Sequence, residues 1–364
     1  TTTDIPPTFL SLSPVHTPTH PPLFCPMYAL TTFFILSAVG VGFIAERWGG
    51  GGGPEWESSG FVLLQIRFLI VWGLAVLGDW LQGPYFYLVY ERHGYDRISI
   101  QRLFIIGCIS AASLGVYLAS LADRVGRRRM AIVYFGIYAL ACFCVHFQPF
   151  WVLVVGRVCS GIATSLLFVV FDSYYVQQSK ERGFPEKSLK KTFKKASLIQ
   201  GFTAVIAGIV TQPAVEGTSF HTLGPLAMGK ELAAYDLAIL VFLLGVVITC
   251  YLWEDDSSSL RMLRYEGNAS SFKLCNGLKR RKVVDIVCLG GIQTLFESSM
   301  NAFTVLWTPA MQRTGEKDLP FGMIFAGLMA SLMLGSILFS ASTTFLTVEM
   351  TLSISLVVGM GSLV

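Results

Sequence analysis

Apolar residues in this chain come in long unbroken blocks, not at helical or alternating spacing. The first is "MYALTTFFILSAVGVGFIA", residues 27–45. After a glycine-rich break, further blocks cover about 61–90, 99–121, 129–147, 150–176, 192–214, 233–253, 283–310, 321–341 and 343–364. A helix needs about 20 apolar residues to cross a bilayer, and most of these blocks approach that length. The strict alternation of a membrane β-barrel is absent. The pattern predicts an all-α polytopic membrane protein.

The breaks divide the chain. Residues 1–26 are rich in Pro, Thr and Ser and carry no Lys or Arg. That composition predicts a disordered tail, and the lack of a basic n-region argues against a cleaved signal peptide. "GGGGGPEWESSG", 49–60, reads as a flexible linker. The expected organisation is a tail, an extra span and a linker over 1–60, a six-helix half over 61–253, a loop over 254–282 and part of a second half over 283–364.

Composition sharpens this. Charged residues make up 14% of the chain, against about 25% in soluble proteins. The eight cysteines lie mostly inside apolar blocks and form no CxxC. They read as small buried side chains, not as a disulfide framework or a metal site. HExxH, P-loop and GxSxG patterns are absent, and the five histidines are scattered. No enzyme and no cofactor are expected.

Charge placement orients the spans. Arg124 and Arg127–Arg129 sit between the second and third blocks. Lys180, Arg182, Lys187, Lys190, Lys191, Lys194 and Lys195 lie between the fourth and fifth, and Arg261, Arg264, Lys273 and Lys279–Lys282 between the sixth and seventh. All fall on one side, which the positive-inside rule makes cytoplasmic. An arginine cluster so placed marks topology, and no nucleic-acid partner is expected. Asn268-Ala269-Ser270 fits the glycosylation pattern, but on this map it lies in the cytoplasm and stays unmodified.

The cluster reads "DRVGRRRM", residues 123–130. Gly126 permits a tight turn. Asp123 can accept charge-assisted bonds and cap the next helix. With Arg124, Arg127 and Arg128 it forms a candidate cytoplasmic latch. This Asp-Arg-x-Gly-Arg-Arg loop resembles the signature loop of the major facilitator superfamily. "GRVCSG", 156–161, resembles that family's fourth-helix pattern, an intramembrane Arg followed by Gly four later.

Three further stretches, "GDWLQGPYFYLVY" (78–90), "FDSYYVQQSKERGFPEKSLKKTF" (171–193) and "GIQTLFESSMNAFTVLWTP" (291–309), resemble the molybdate-anion transporter branch of that superfamily. So does the extra span before the first core helix. Asp172 stands where the branch usually has Glu, and Tyr174 where it has Trp. The likeness covers residues 61 to about 341. It implies a secondary transporter for molybdate working by alternating access, acting as a monomer, with the plasma membrane as its expected location. A facilitator for another small solute, such as a sugar, organic anion or drug, and a non-transporting sensor or scaffold are the rival readings.

The polar residues suggest where such a substrate would pass. Gln293, Glu297, Asn301 and Thr304 form one stripe on the seventh span. Asp79, Gln82 and Phe86 share a face of the first. Arg157, Gly161, Thr164 and Phe168 line up on the fourth, and Gln200, Thr203 and Thr211 on the fifth. Polar groups in a membrane helix belong on a cavity or the bundle interior. The family likeness implies that spans one, four and seven line the central path. Arg157, the one Lys or Arg expected at membrane depth, is the candidate charge for an oxyanion. Gln82, Tyr85, Gln293 and Asn301 are candidate donors. Asp79, Glu297 and Asp172 are candidate proton-coupling groups, because protonation lowers their repulsion of a dianion.

The chain opens on Thr1 and closes inside an apolar run at Val364. A piece of a longer protein, with its second six-helix half incomplete, is the expectation.

Overall fold

The computed structural model describes residues 59–254, 280–313, 319–343 and 345–361. The tail, extra span and linker expected over 1–60 lie outside them up to residue 58, and Ser59 and Gly60 already belong to a helix. Asn268 and most of the loop expected over 254–282 also lie outside.

Ten α-helices follow in chain order among the described residues. They are α1 (Ser59–Gln82), α2 (Phe86–Arg92), α3 (Arg97–Val125), α4 (Arg127–Cys144), α5 (Phe150–Glu181), α6 (Glu186–Glu216), α7 (Leu232–Leu252), α8 (Arg280–Gln312), α9 (Phe321–Ser342) and α10 (Val348–Gly361). A two-stranded antiparallel hairpin, β1 (His221–Leu223) and β2 (Leu226–Met228), precedes α7. The block pattern does not register strands this short. Six stretches are long and apolar enough to cross a membrane: Ser59–Arg92, Arg97–Gly115, Phe150–Glu181, Glu186–Glu216, Leu232–Leu252 and Phe321–Phe339. The third expected span, α4, falls outside that set and opens on Arg127–Arg129. The seventh, α8, also falls outside it, and the ninth, α10, is short at 14 residues.

The expected first span is one element with a break. Pro84 lacks a backbone N–H, and Gly83–Tyr85 winds as a 3-10 turn between α1 and α2. The fifth span starts earlier than expected. α6 begins at Glu186, so Lys187, Lys190, Lys191 and Lys194 are exposed side chains on its first turns.

α1 and α3 to α7 pack as one bundle. α3 packs on α5, α4 on α5 and α7, and α1 on α6 and α7. The core is strongly aromatic. Phe68, Tyr134, Phe135, Phe171, Tyr175 and Phe242 are almost fully buried. Edge-to-face pairs run through it, such as Tyr134 on Phe171 at 5.1 Å. Each such pair adds about 0.5–1.5 kcal/mol beyond area burial.

Close helix approach depends on missing side chains. A Cβ at Gly161 would lie 2.8 Å from Ser110 Cβ on α3. Gly161 is therefore a packing position in the α3–α5 contact. α9 lies closely along α6: Gly208 meets Gly322 and Ala326, and Gly201 meets the Met333 side chain. Small residues of this kind let membrane helices approach closely. α8 meets the bundle at its outer end, where Gln312 Nε2 donates to Glu91 Oε2 at 2.6 Å.

At the ends that carry the arginine loop, Glu254 accepts from Arg67 at 2.9 Å and Arg182 at 3.0 Å, tying α1, α5 and the end of α7. At the opposite ends, the hairpin is held by Ala227 N–H donating to His146 O at 2.8 Å.

Candidate functional site

The arginine loop takes the turn its sequence implies. Gly126 sits at φ 101°, a conformation that glycine adopts freely. Asp123 accepts from Arg127 Nη2 at 2.6 Å. It does not cap α4. Gly126 holds the N-cap position and no side chain caps it, because the Asp123 carboxylate is engaged by Arg127 one helical turn on. Arg127 Nε also donates to Ser173 Oγ on α5 at 3.2 Å. Arg128 Nη2 donates to Cys250 O at 2.7 Å, where α7 exposes its last carbonyls. Arg124 is exposed. The loop thus clamps the neighbouring ends of α3, α4, α5 and α7 to one another.

Arg157 lies on α5, seven residues from its outer end. Its Nε donates to Tyr90 Oη at 3.0 Å and its Nη1 to Ser160 Oγ at 3.3 Å. The guanidinium stands over the Phe86 ring at 4.0 Å. A partly buried cation–π contact of this kind contributes about 1–2 kcal/mol. No carboxylate pairs with Arg157 among the described residues, and the Tyr235 hydroxyl is buried without a hydrogen-bond partner there. Asp79 lies elsewhere in the same half. Tyr138 donates to its Oδ1, and Tyr138 stacks on Phe242 of α7 at 4.6 Å. Asp79 therefore faces α4 and α7.

The other expected residues are spread apart. Asp172 is exposed, fifteen residues along α5 from Arg157 and so about 22 Å away by helical rise. Gln293, Glu297 and Asn301 are exposed on α8, where Gln293 donates to Glu297 at 2.9 Å. They do not meet the Arg157 or Asp79 groups here. Gln82 Nε2 is buried without a hydrogen-bond partner among the described residues.

Tyr85 is the expected donor that reaches the contact between the bundle and α9. Its hydroxyl donates to Gln212 Oε1 at 3.0 Å. The same oxygen accepts from Gly322 N–H at 2.8 Å, and Gln212 Nε2 donates to Glu216 at 2.6 Å. Beyond them lies an outer cleft of about 510 Å³, with Tyr85, Gln212, Glu216, Arg92, Lys230 and Glu231 in its wall. Arg92 makes a two-pronged ion pair with Glu231 there. On the other side of Gln212, a pocket of about 180 Å³ opens between α1, α6 and α9. Sequence reasoning missed Gln212 and Trp80, the latter part of that pocket. Small residues at fourfold spacing on α6 and α9 were the available signal, since they mark a helix contact.

A family described as sugar transporters with twelve membrane spans matches residues 31–362. The chain belongs to the major facilitator superfamily. It is a multi-pass membrane protein of that fold. The molybdate-anion transporter of Takifugu rubripes is 30% identical over 301 residues, 78% of this chain and 61% of that protein. The one from Xenopus tropicalis is 30% identical over 288 residues, 78% of this chain and 59% of that protein. The chain thus spans about 60% of the length of these relatives. The crystal structure of the nucleoside transporter NupG superposes with a TM-score of 0.54 at 14% identity, over 78% of this chain and 67% of that one. At that identity the likeness speaks for the facilitator fold alone.

Proposed function

We propose that this facilitator is a secondary transporter for molybdate, moving the oxyanion across the plasma membrane by alternating access with proton coupling. One observation carries the reading beyond its relatives: Arg157 is a half-buried cation with aromatic and hydroxyl neighbours and no carboxylate partner among the described residues. A charge at membrane depth costs about 2.5–3.5 kcal/mol on insertion scales. Its uncompensated positive potential draws an anion inward. Asp79 and Glu297 are the coupling carboxylates in this reading, and Tyr85 and Gln82 are donors along the path.

The test is uptake of labelled molybdate in a transport-deficient cell, with tungstate and sulfate as competitors. Saturable uptake that competitors reduce and Arg157→Ala abolishes supports the proposal. Saturable uptake of a hexose in place of molybdate points to the sugar reading that the family description names. No saturable uptake of either overturns transport in favour of a sensor or scaffold.

A further inference from the structure

α6 is longer than a bilayer requires. Its last turns, residues 197–216, hold no Lys, Arg or Asp, and a Glu only at the final position. At about 1.5 Å per residue they rise about 30 Å, the thickness of a hydrocarbon core. The residues before them, Glu186 to Ala196, rise about 16 Å further. They therefore stand in the headgroup layer and just past it.

That extension is basic on its exposed side. Lys187, Lys190, Lys191 and Lys194 are exposed, and Glu186 is the one acidic residue in the segment. The lysines stand three or four residues apart, a spacing at which like charges on a helix repel. Glu254, at the same ends of the bundle, is already paired with Arg67 and Arg182.

The basic face continues into the contact with α9. Lys187, Lys194, Gly201 and Gly208 recur every seven residues, a spacing within about 20° of two full turns. Gly201 meets Met333 of α9, and Gly208 meets Gly322. α9 contains no charged residue, so it offers the lysines no counter-charge where the seam ends.

The surroundings of a multi-pass membrane protein supply the partner. Phospholipid headgroups always lie at this height beside the helix. The positive-inside rule assigns these ends to the cytoplasmic leaflet, which is the anionic one. We propose that the lysine face of α6, from Lys187 to Lys194, binds anionic phospholipid headgroups at the end of the α6–α9 seam. Lys194 and Lys190 stand about 5 and 10 Å past the hydrocarbon edge, within about one Debye length of the phosphates. An ammonium is a mobile point charge, so it reads the charge of a headgroup and not its shape. Affinity then rises with headgroup charge, from phosphatidylcholine to phosphatidylserine to a bisphosphorylated inositol lipid. The proposal holds whichever solute the chain carries.

The test is equilibrium binding of fluorescent phosphatidylserine to the purified full chain in detergent. Competitors are unlabelled phosphatidylserine, phosphatidylcholine, inorganic phosphate and molybdate. Lys187→Gln, Lys190→Gln, Lys191→Gln and Lys194→Gln together make one variant, and the same positions changed to Arg make a second. Thermal unfolding checks that both fold. The expected result is displacement by phosphatidylserine and not by phosphatidylcholine, binding weakened about tenfold or more in the glutamine variant, and binding kept in the arginine variant. Equal affinity of the wild type and the folded glutamine variant overturns the site. Displacement by phosphatidylcholine as readily as by phosphatidylserine overturns the dependence on charge. Displacement by millimolar phosphate or molybdate assigns the face to a free oxyanion and overturns the lipid proposal. The competitor series needs no variant, so it decides the lipid question even if the glutamine variant does not fold.

Discussion

Gln212 Oε1 accepts the backbone N–H of Gly322 at 2.8 Å, so one carboxamide on α6 satisfies a donor in the first turn of α9. Such first-turn N–H groups have no partner within their own helix. The same oxygen accepts the Tyr85 hydroxyl. Gln212→Leu strands both donors, at about 1–3 kcal/mol each. The expected outcome is a lower unfolding temperature and an opened outer contact. A cysteine placed at Ala204, on the cytoplasmic side of that contact, should then react with an impermeant maleimide added from outside.

Gly208 makes the α6–α9 contact steric as well. A Cβ there would meet Ala326 N at 2.8 Å and Ala326 Cβ at 2.9 Å. Gly208→Val should destabilise the chain by about 1–3 kcal/mol through overpacking. Gly335, on the same α9, has nothing within 4 Å of an added Cβ, so Gly335→Ala should unfold like wild type. Thermal unfolding in detergent compares the two.

The arginine loop offers a backbone test. At φ 101°, Gly126 holds a conformation that costs other residues about 1–3 kcal/mol. Gly126→Ala should lower stability by that order, with the loss concentrated where the loop clamps α3, α4, α5 and α7. Gly136 sits inside α4 with open space around it, and Gly136→Ala should hold or gain stability, since alanine favours helix. Hydrogen exchange at the α4 N-terminus separates local loosening from global unfolding.

The membrane fold was legible because a helix in lipid must be apolar nearly all round, and that requirement writes itself as blocks. The arginines mark which helix ends share one side of the bundle. The site was less legible. Asp79 and Trp80 are neighbours, about 100° apart on α1. Period alone places Asp79 and Gln82 on one face but does not say which helix that face meets. Asp79 turns to Tyr138 of α4, and Trp80 to Phe325 of α9, 6.0 Å away. The exposed stripe on α8 shows the same limit, for its spacing was visible and its partner was not. The caged arginine was found because a charge inside an apolar block stands out. Gln212 was missed because an uncharged amide near a helix end does not.

Proton coupling has its own test. Asp79→Asn keeps an acceptor for Tyr138 and removes the titrating carboxyl. Glu297→Gln does the same on α8 beside Gln293. If these groups carry the proton, molybdate uptake should lose most of its pH dependence in at least one variant. Uptake and pH profile unchanged in both would sink the coupling proposal.

A separate pH effect concerns stability. His93 lies in the outer loop after α2, and its Nε2 meets Val145 O at 2.9 Å. A carbonyl cannot donate, so that nitrogen carries a proton in this contact. Burial holds its pKa below the ordinary 6.5, and nearby His146 pushes in the same direction. The unfolded chain then binds the extra proton first. The stabilisation is present above pH 6.5 and is lost as pH falls through the depressed folded value. Asp96, held low by Ser99, loses its contribution only at still more acidic pH, below its ordinary 3.8. His93→Gln keeps a donor for Val145 O and removes the titration. Thermal unfolding followed from neutrality to about pH 5 should therefore show a smaller acid-induced drop in the variant than in the wild type. Equal drops would assign the acid sensitivity to other groups.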